Sequence, residues 1–281
     1  MMKNKTQTIL YHILCILLAI LFIFPLVWMV ASSMKPEVQV YNDMGSLKAF
    51  LPSGHVSEWF APYTSIFNRF NIVRYISNSL IYALSVTVGS IIVNSMAGFA
   101  FATIDFKFKK LIFGLLIASL VIPGETIIIT KFVVTQNLGL VDNPLAVILP
   151  LISTPLYIYM FTVFFEAVTK DLEEAAMMEG ANKFQIYWKI FLPMSKPAIA
   201  TVGTLSFILS WNDYIWPLMV MTDSNRYPLQ VAITNINNTQ PVYINQVMAI
   251  LTISTIPLII IYVFFQKYLV QGMGATGTGV K

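Results

Sequence analysis

Glu125 and Asp213 are carboxylates set inside apolar stretches, where an ionised side chain is costly. At the centre of a spanning helix such a group costs about 2.5–3.5 kcal/mol on insertion scales. Glu125 follows Pro123-Gly124, a break that frees backbone polar groups and points to burial in protein or a wet cavity rather than lipid. Asp213 lies between Asn212 and Tyr214, with Trp211 and Trp216 on either side. Hydrogen-bonding groups beside aromatic rings suit a sugar, whose apolar faces stack while its hydroxyls need partners. Anchoring at the membrane interface, near the outer end of a helix, fits the same residues equally well. Asn94, Ser153, Thr154, Tyr157 and Ser210 are polar positions in apolar runs and are candidates for lining a pathway.

A second constellation, residues 171–193, is acidic. Asp171 followed by Glu174 reads as a capping-box pattern, with acids at a helix N-terminus where the dipole favours them. Gly180 can end that helix in the left-handed conformation, and Asn182 with Gln185 repeats the cap spacing for a second short helix. Phe184, Trp188 and Phe191 then predict one apolar face, turned toward the membrane domain, before Pro193 and Pro197 end the helix. Asp171, Glu173, Glu174 and Glu179 make the first helix one that anionic lipid would repel, while Ala175 and Ala176 leave one side nearly flat. The expectation is a helix–turn–helix whose acidic, small-residue face enters a basic groove on a protein partner.

Other chemistry is poorly supported. No nucleophile–base–acid set stands out, and no G-x-x-x-x-G-K-[ST] run offers a phosphate cradle. The glycines of the tail, Gly272 onward, have dinucleotide-fingerprint spacing but neither a preceding strand nor room for the helix that would hold a pyrophosphate. Cys15 is the only cysteine, so no intrachain disulfide forms, and His12 and His55 have no partner at ligand spacing for a metal.

The elements that must position these groups are membrane helices. Of 281 residues, 57% are hydrophobic and 11% charged, far below the roughly one quarter charged in soluble domains. The net charge of +4 is scattered between apolar runs, which argues against nucleic-acid binding. Six stretches reach the ~20 apolar residues a spanning helix needs, at 9–31, 75–102, 110–132, 144–166, 198–221 and 244–268. The first is too long for a signal-peptide core of about 7–15 residues, so it reads as a retained span. Lysine and arginine fall eleven to six in favour of the segments holding both termini, which places both in the cytoplasm. The resulting organisation is a cytoplasmic N-terminus at 1–8, a first span at 9–31, an external segment at 32–74, a core at 75–270 and a cytoplasmic tail at 271–281. Aromatic residues of 32–74, including Trp59, Phe60, Tyr63, Phe67 and Phe70, read as interfacial anchors. The external loop 222–243 is nearly uncharged, and Asn225, Arg226, Asn237 and Asn238 are candidates for contacting an external partner.

Glu174-Ala175-Ala176, then Gly180, Ile190 and Leu192-Pro193 at fixed spacing, resembles the EAA loop (here 166–197) of binding-protein-dependent ABC importer permeases. Asn78-Ser79-Leu80, Ala97-Gly98-Phe99-Ala100-Phe101-Ala102, Ile122-Pro123-Gly124-Glu125, Trp211 through Leu218 and Phe264 through Gly272 are similar to the carbohydrate branch, whose type is the MalG subunit of the maltose transporter. The likeness covers nearly the whole chain except about 36–70. It implies an all-α type I ABC importer transmembrane domain of six helices, with a MetI-like permease core at 75–270. It implies that Glu173, Glu174, Ala175, Ala176, Glu179, Gly180, Leu192 and Pro193 meet the ATPase, with Glu174 the prime coupling contact. It further implies a second homologous permease, an ATP-binding subunit dimer that holds ATP and Mg in place of this chain, an extracytoplasmic solute-binding protein and a sugar substrate, in the bacterial cytoplasmic membrane. In the maltose-type system the sugar is held chiefly by the partner permease, so this subunit would line the pathway. The rival readings are an ion-coupled secondary carrier, for which only Glu125 and Asp213 are candidate ionisable residues and no internal repeat is visible, and a membrane-embedded enzyme.

Overall fold

Residues 9–31 contain almost nothing but apolar side chains, and they lie in one helix, α1 (Lys5–Ser33), whose apolar stretch is exposed on all sides. Such a helix needs a solvent of hydrocarbon, and in that solvent the internal Pro25 is tolerated. The computed structural model describes residues 5–168 and 170–277, with side chains described for 7–168 and 171–267. The expectations that rest on Lys3, Lys5, Lys170, Lys281, the end of the tail and the side chains from 268 onward lie outside those residues. Among the described residues every regular element is helical.

After α1 come α2 (Glu37–Asp43), α3 (Ala61–Arg69) and the long α4 (Ile72–Thr103). The middle of the chain is broken into shorter pieces: α5 (Lys109–Ser119), α6 (Ile128–Asn137), α7 (Pro144–Ile152) and α8 (Pro155–Glu166). Then follow α9 (Lys170–Met178), α10 (Lys183–Ile186), a π-helical turn (Tyr187–Phe191), α11 (Leu192–Met194) and α12 (Lys196–Trp211). The last elements are α13 (Ile215–Val220), α14 (Leu229–Asn238) and α15 (Ile244–Gly277).

Three helices are long and apolar enough to cross a membrane, at Gln7–Ser33, Ile72–Thr103 and Ile244–Lys267, close to three of the expected spans. The other three runs are not straight helices. The run expected at 110–132 bends by 96° between α5 and the turn at Gly124, because Pro123 lacks a backbone donor and disfavours helix at Ile122. The run at 144–166 bends by 42° at Ser153-Thr154, ahead of Pro155, while Pro150 stays inside α7. The run at 198–221 stops at Trp211; Asn212–Tyr214 interrupt it, and α13 resumes as a separate turn. The segment 222–243, expected as a loop, is largely α14.

By contacts the chain divides into two units, one of Met1–Val73 with Ala232–Ile256 and one of Arg74–Val231 with Pro257–Lys281. In the first, Lys35 is only 1% exposed; its ammonium donates to Asp43 Oδ2 at 2.8 Å and to the Lys48 carbonyl at 2.7 Å. The Lys35 ammonium holds the Asp43 carboxyl below the usual carboxylate range. Glu37 accepts from the Ile244 and Asn245 amides at 2.8 and 2.9 Å, capping α15 from a distant part of the sequence. Of the expected interfacial aromatics, Trp59 and Tyr63 are fastened, to the Ser53 carbonyl and the Ser33 hydroxyl, whereas Phe60 is exposed.

In the second unit α4 crosses α8 at Gly98. A Cβ there would lie 2.6 Å from Phe161 Cβ, so only glycine admits this approach. Beside the crossing, Phe99, Phe165, Tyr187 and Phe191 form an aromatic cluster with centroid separations of 5.0–6.2 Å. A second buried cluster includes Tyr82, Val86, Ala146, Val147, Trp216 and Val220.

Candidate functional site

The breaks in the second unit make room. Where the chain bends at Pro123, at Ser153-Thr154 and after Trp211, a cavity of about 670 Å³ opens. Its wall includes Glu125, Lys131, Thr154, Tyr157, Ser206, Ser210, Asn212, Asp213 and Trp216. Glu125 stands in the short turn that follows Pro123, and Asn212 and Asp213 in the gap between α12 and α13. Asp213 Oδ1 receives the Trp216 amide at 3.4 Å, a long contact at the start of α13. Trp216 is fixed by its Nε1 donating to the Ala146 carbonyl at 2.9 Å. The Lys131 ammonium lies 4.0 Å from the Trp216 ring centre, within cation–π range.

Two wall hydroxyls are unusual. Tyr157 and Ser210 are 2% and 8% exposed, and neither hydroxyl has a hydrogen-bond partner among the described residues. A buried hydroxyl left unpaired costs about 1–3 kcal/mol, so such atoms point to water or ligand.

Of the residues expected to line a pathway, Glu125, Thr154, Tyr157, Ser210, Asn212 and Asp213 come together at this cavity. Asn94, Ser153 and Trp211 do not. Asn94 is fully buried, donates to the Ser90 and Ile152 carbonyls at 2.6 and 2.8 Å, and accepts from the Thr154 amide at 3.0 Å. It braces the break between α7 and α8, where backbone groups lose their helical partners. Trp211 is buried and stacks on Phe207 at 5.8 Å. Lys131 and Ser206 were missed. A lysine inside an apolar run is a signal that could have found the first.

The acidic constellation forms two short helices. Asp171 lies inside the first turn of α9 rather than ahead of it, so it meets the helix dipole without being the cap residue. Gly180 has φ of +85°, the Gly180 amide donates to the Met177 carbonyl at 3.0 Å, and the Ala181 amide to the Ala176 carbonyl at 3.0 Å. That pair of bonds is a Schellman termination. Asn182 and Gln185 form a reciprocal capping box at the start of α10. Glu173 pairs with Lys183, joining the two helices. Glu174, Ala175, Glu179, Gly180 and Pro193 are exposed, whereas Leu192 and Ala176 pack against the aromatic cluster.

The expected Phe184–Trp188–Phe191 face is corrected. Phe184 and Trp188 are 63% and 56% exposed, and the buried set is Ile186, Tyr187 and Phe191. The π turn across Tyr187–Phe191 widens the helix there, so a 3.6-residue period no longer predicts which side faces inward. The Tyr187 hydroxyl is 2.8 Å from Ser95 Oγ on α4, which ties the two-helix segment to the long helix.

Asn225 and Arg226 are tied down. The Asn225 carbonyl receives Arg74 Nε at 3.1 Å and Asn78 Nδ2 at 2.8 Å, and the Arg226 carbonyl receives the Tyr82 hydroxyl at 2.9 Å. The Arg226 guanidinium lies 3.5 Å from Asp142 and 3.8 Å from Asp223. Asp142 also accepts both the Thr222 and Asp223 amides at 3.1 Å, and the Asp223 amide leads in holding its carboxyl below the usual range. Asn237 and Asn238 are exposed at the end of α14, in the other unit.

Residues 91–275 match the family described as binding-protein-dependent transport system inner membrane component. Over 99% of both chains the protein is 31% identical to an arabinooligosaccharides transport system permease protein, AraQ, of Bacillus subtilis. It is 29% identical to the sn-glycerol-3-phosphate transport system permease protein UgpE of Yersinia pestis, covering 93% of this chain and 94% of that one. In fold it is similar to a chain of a bacterial ABC transporter involved in the import of the acidic polysaccharide alginate, with TM-score 0.83 and 24% identity, over 95% of this chain and 98% of that one. An all-helical chain with this fold and these relatives is a bacterial inner-membrane protein and belongs to the binding-protein-dependent transport system inner membrane components, the permeases of ABC importers.

Proposed function

We propose that this chain is one of two permeases of an ATP-driven sugar or oligosaccharide importer and lines the pathway with the cavity around Tyr157, Ser210 and Asp213. The observation that carries the reading is the pair of buried, unpartnered hydroxyls in that wall, beside Asn212 and Trp216. Polyhydroxylated ligands supply the partners such atoms lack. The named activity of one relative, arabinooligosaccharide transport, supports a carbohydrate cargo.

In this reading the three long helices, the two bent runs and the interrupted run 198–221 make six spans, with both termini cytoplasmic, segment 32–74 external, 75–270 the permease core and 271–281 a cytoplasmic tail. The loop 166–197 is the EAA loop. Its exposed Glu174, Ala175, Glu179, Gly180 and Pro193 dock on a separate ATPase dimer, which binds ATP and Mg, while the half-covered Glu173, Ala176 and Leu192 hold the loop's shape. Glu174 makes a charge-assisted pair with a basic group there. ATP-driven closure moves the loop, and the Tyr187–Ser95 contact with the aromatic cluster passes that motion to α4, α8 and α12. An extracytoplasmic binding protein delivers the sugar, with Asn237, Asn238 and the pinned Asn225–Arg226 turn as contact candidates.

The test is uptake of labelled oligosaccharide by cells whose ATP is depleted while the proton gradient is clamped. Uptake should stop, and should depend on the gene for this chain. Uptake that persists and follows the proton gradient would overturn the reading in favour of an ion-coupled carrier.

A further inference from the structure

The cavity wall carries an unequal set of charges. Glu125 and Asp213 contribute two carboxylates and Lys131 one ammonium, leaving one net negative charge. The ammonium is also the best-partnered of the three. It rests on the Trp216 ring at 4.0 Å, while Trp216 itself is fixed by the Ala146 carbonyl. Among the described residues of this wall, an incoming anion finds one cation, already resting on an aromatic ring, against two carboxylates.

The other polar groups of the wall are neutral. The hydroxyls of Tyr157 and Ser210 are more than nine-tenths buried and unpartnered among the described residues, and the side chains of Thr154, Ser206 and Asn212 stand beside them. A hydroxyl both donates and accepts, as does a sugar hydroxyl, whereas a carboxylate or phosphate ester offers acceptors that only the engaged lysine could meet with charge. Resting on the pathway reading above, we propose that this wall passes uncharged, polyhydroxylated ligands and turns back sugar acids and sugar phosphates, with Glu125 and Asp213 as the residues that set this preference.

Charge preference can be read without knowing the sugar. Cys15 is the only cysteine of the chain, so Asn212→Cys in a Cys15→Ser background places a single thiol on the wall. Membrane vesicles carrying the full chain with its partner subunits are treated with a cationic and an anionic methanethiosulfonate reagent, and each rate is normalised to that of a free thiol. One net charge about 10 Å away, at an effective dielectric near 20, changes local ion concentration on the order of tenfold. Cations are enriched and anions depleted by that factor, so the normalised cation-to-anion ratio should be on the order of a hundredfold above unity. Adding Glu125→Gln and Asp213→Asn together should bring it to unity or below, and Lys131→Met should raise it. A ratio at or below unity in the Asn212→Cys protein would overturn the preference while leaving the cavity a water-filled pathway. Failure of both reagents to label would remove the pathway reading itself.

Discussion

Two regions of the same unit are built from opposite materials. Around Phe99, Phe165, Tyr187 and Phe191 the rings are close-packed, glycine is required where α4 meets α8, and the Tyr187 hydroxyl is paired with Ser95. Around Asp213 the helices are interrupted, the wall is polar, and the Tyr157 and Ser210 hydroxyls are unpaired. Tyr157 belongs to both, because it is part of the buried hydrophobic cluster around those rings and also lines the cavity. The first region is finished by the chain itself, as its proposed role in transmitting force requires. The second, in the proposed reading, is left for a ligand to finish. Stability should therefore be sensitive to substitution in the first and transport in the second.

The largest expected effect breaks the tight region. Gly98→Val places side-chain atoms inside Phe161, and overpacking of this kind costs about 1–3 kcal/mol or more. Loss of the folded chain from membranes, read by its yield in mild detergent, is the expected outcome; wild-type yield would mean that α4 and α8 do not cross as closely as described. Next, Phe191→Ala deletes a buried ring from the cluster and should cost about 3–5 kcal/mol, lowering the detergent melting temperature.

A matched pair of hydroxyl deletions sharpens the comparison. Tyr187→Phe removes a paired hydroxyl and should lower stability by about 1 kcal/mol. Tyr157→Phe removes an unpaired one, so thermal stability should hold or rise while uptake falls. Equal melting shifts for the two variants would erase the distinction between the regions.

The smallest effect lies outside both. Asp142 has its carboxyl held below the ordinary range by the Asp223 and Thr222 amides and by Arg226, so its folded pKa is the lower one. Its contribution is present above the ordinary carboxylate pKa and is lost as pH falls through the folded value. Asp142→Asn should flatten the acid side of the stability profile slightly, as measured by melting temperature against pH.

Signals confined to a few residues were legible in the sequence. Gly180 at a helix end and Asn182 with Gln185 did what their types and spacing dictate, because caps are local. Three long apolar runs became three long helices for the same reason. What failed depended on tertiary context. The side of α10 and its π turn that faces inward cannot be read from a fixed period, which is why Phe184 and Trp188 were misplaced. A polar residue in an apolar run looks the same whether it lines a cavity, as Ser210 does, or braces a helix break, as Asn94 does. That Lys131 lines the cavity was hidden because its neighbour Trp216 lies far along the chain. The Glu37 cap on α15 was likewise invisible, spanning more than two hundred residues.

The proposed drive of a sugar pathway by an ATPase, acting through the loop bearing Glu174, is tested by one reconstitution. In proteoliposomes holding the full importer, ATP hydrolysis and sugar uptake are measured together for the wild-type chain and for Glu174→Lys. Uptake per ATP hydrolysed should collapse in the variant while the assembled chain remains in the membrane. An unchanged ratio, with wild-type uptake, would contradict it.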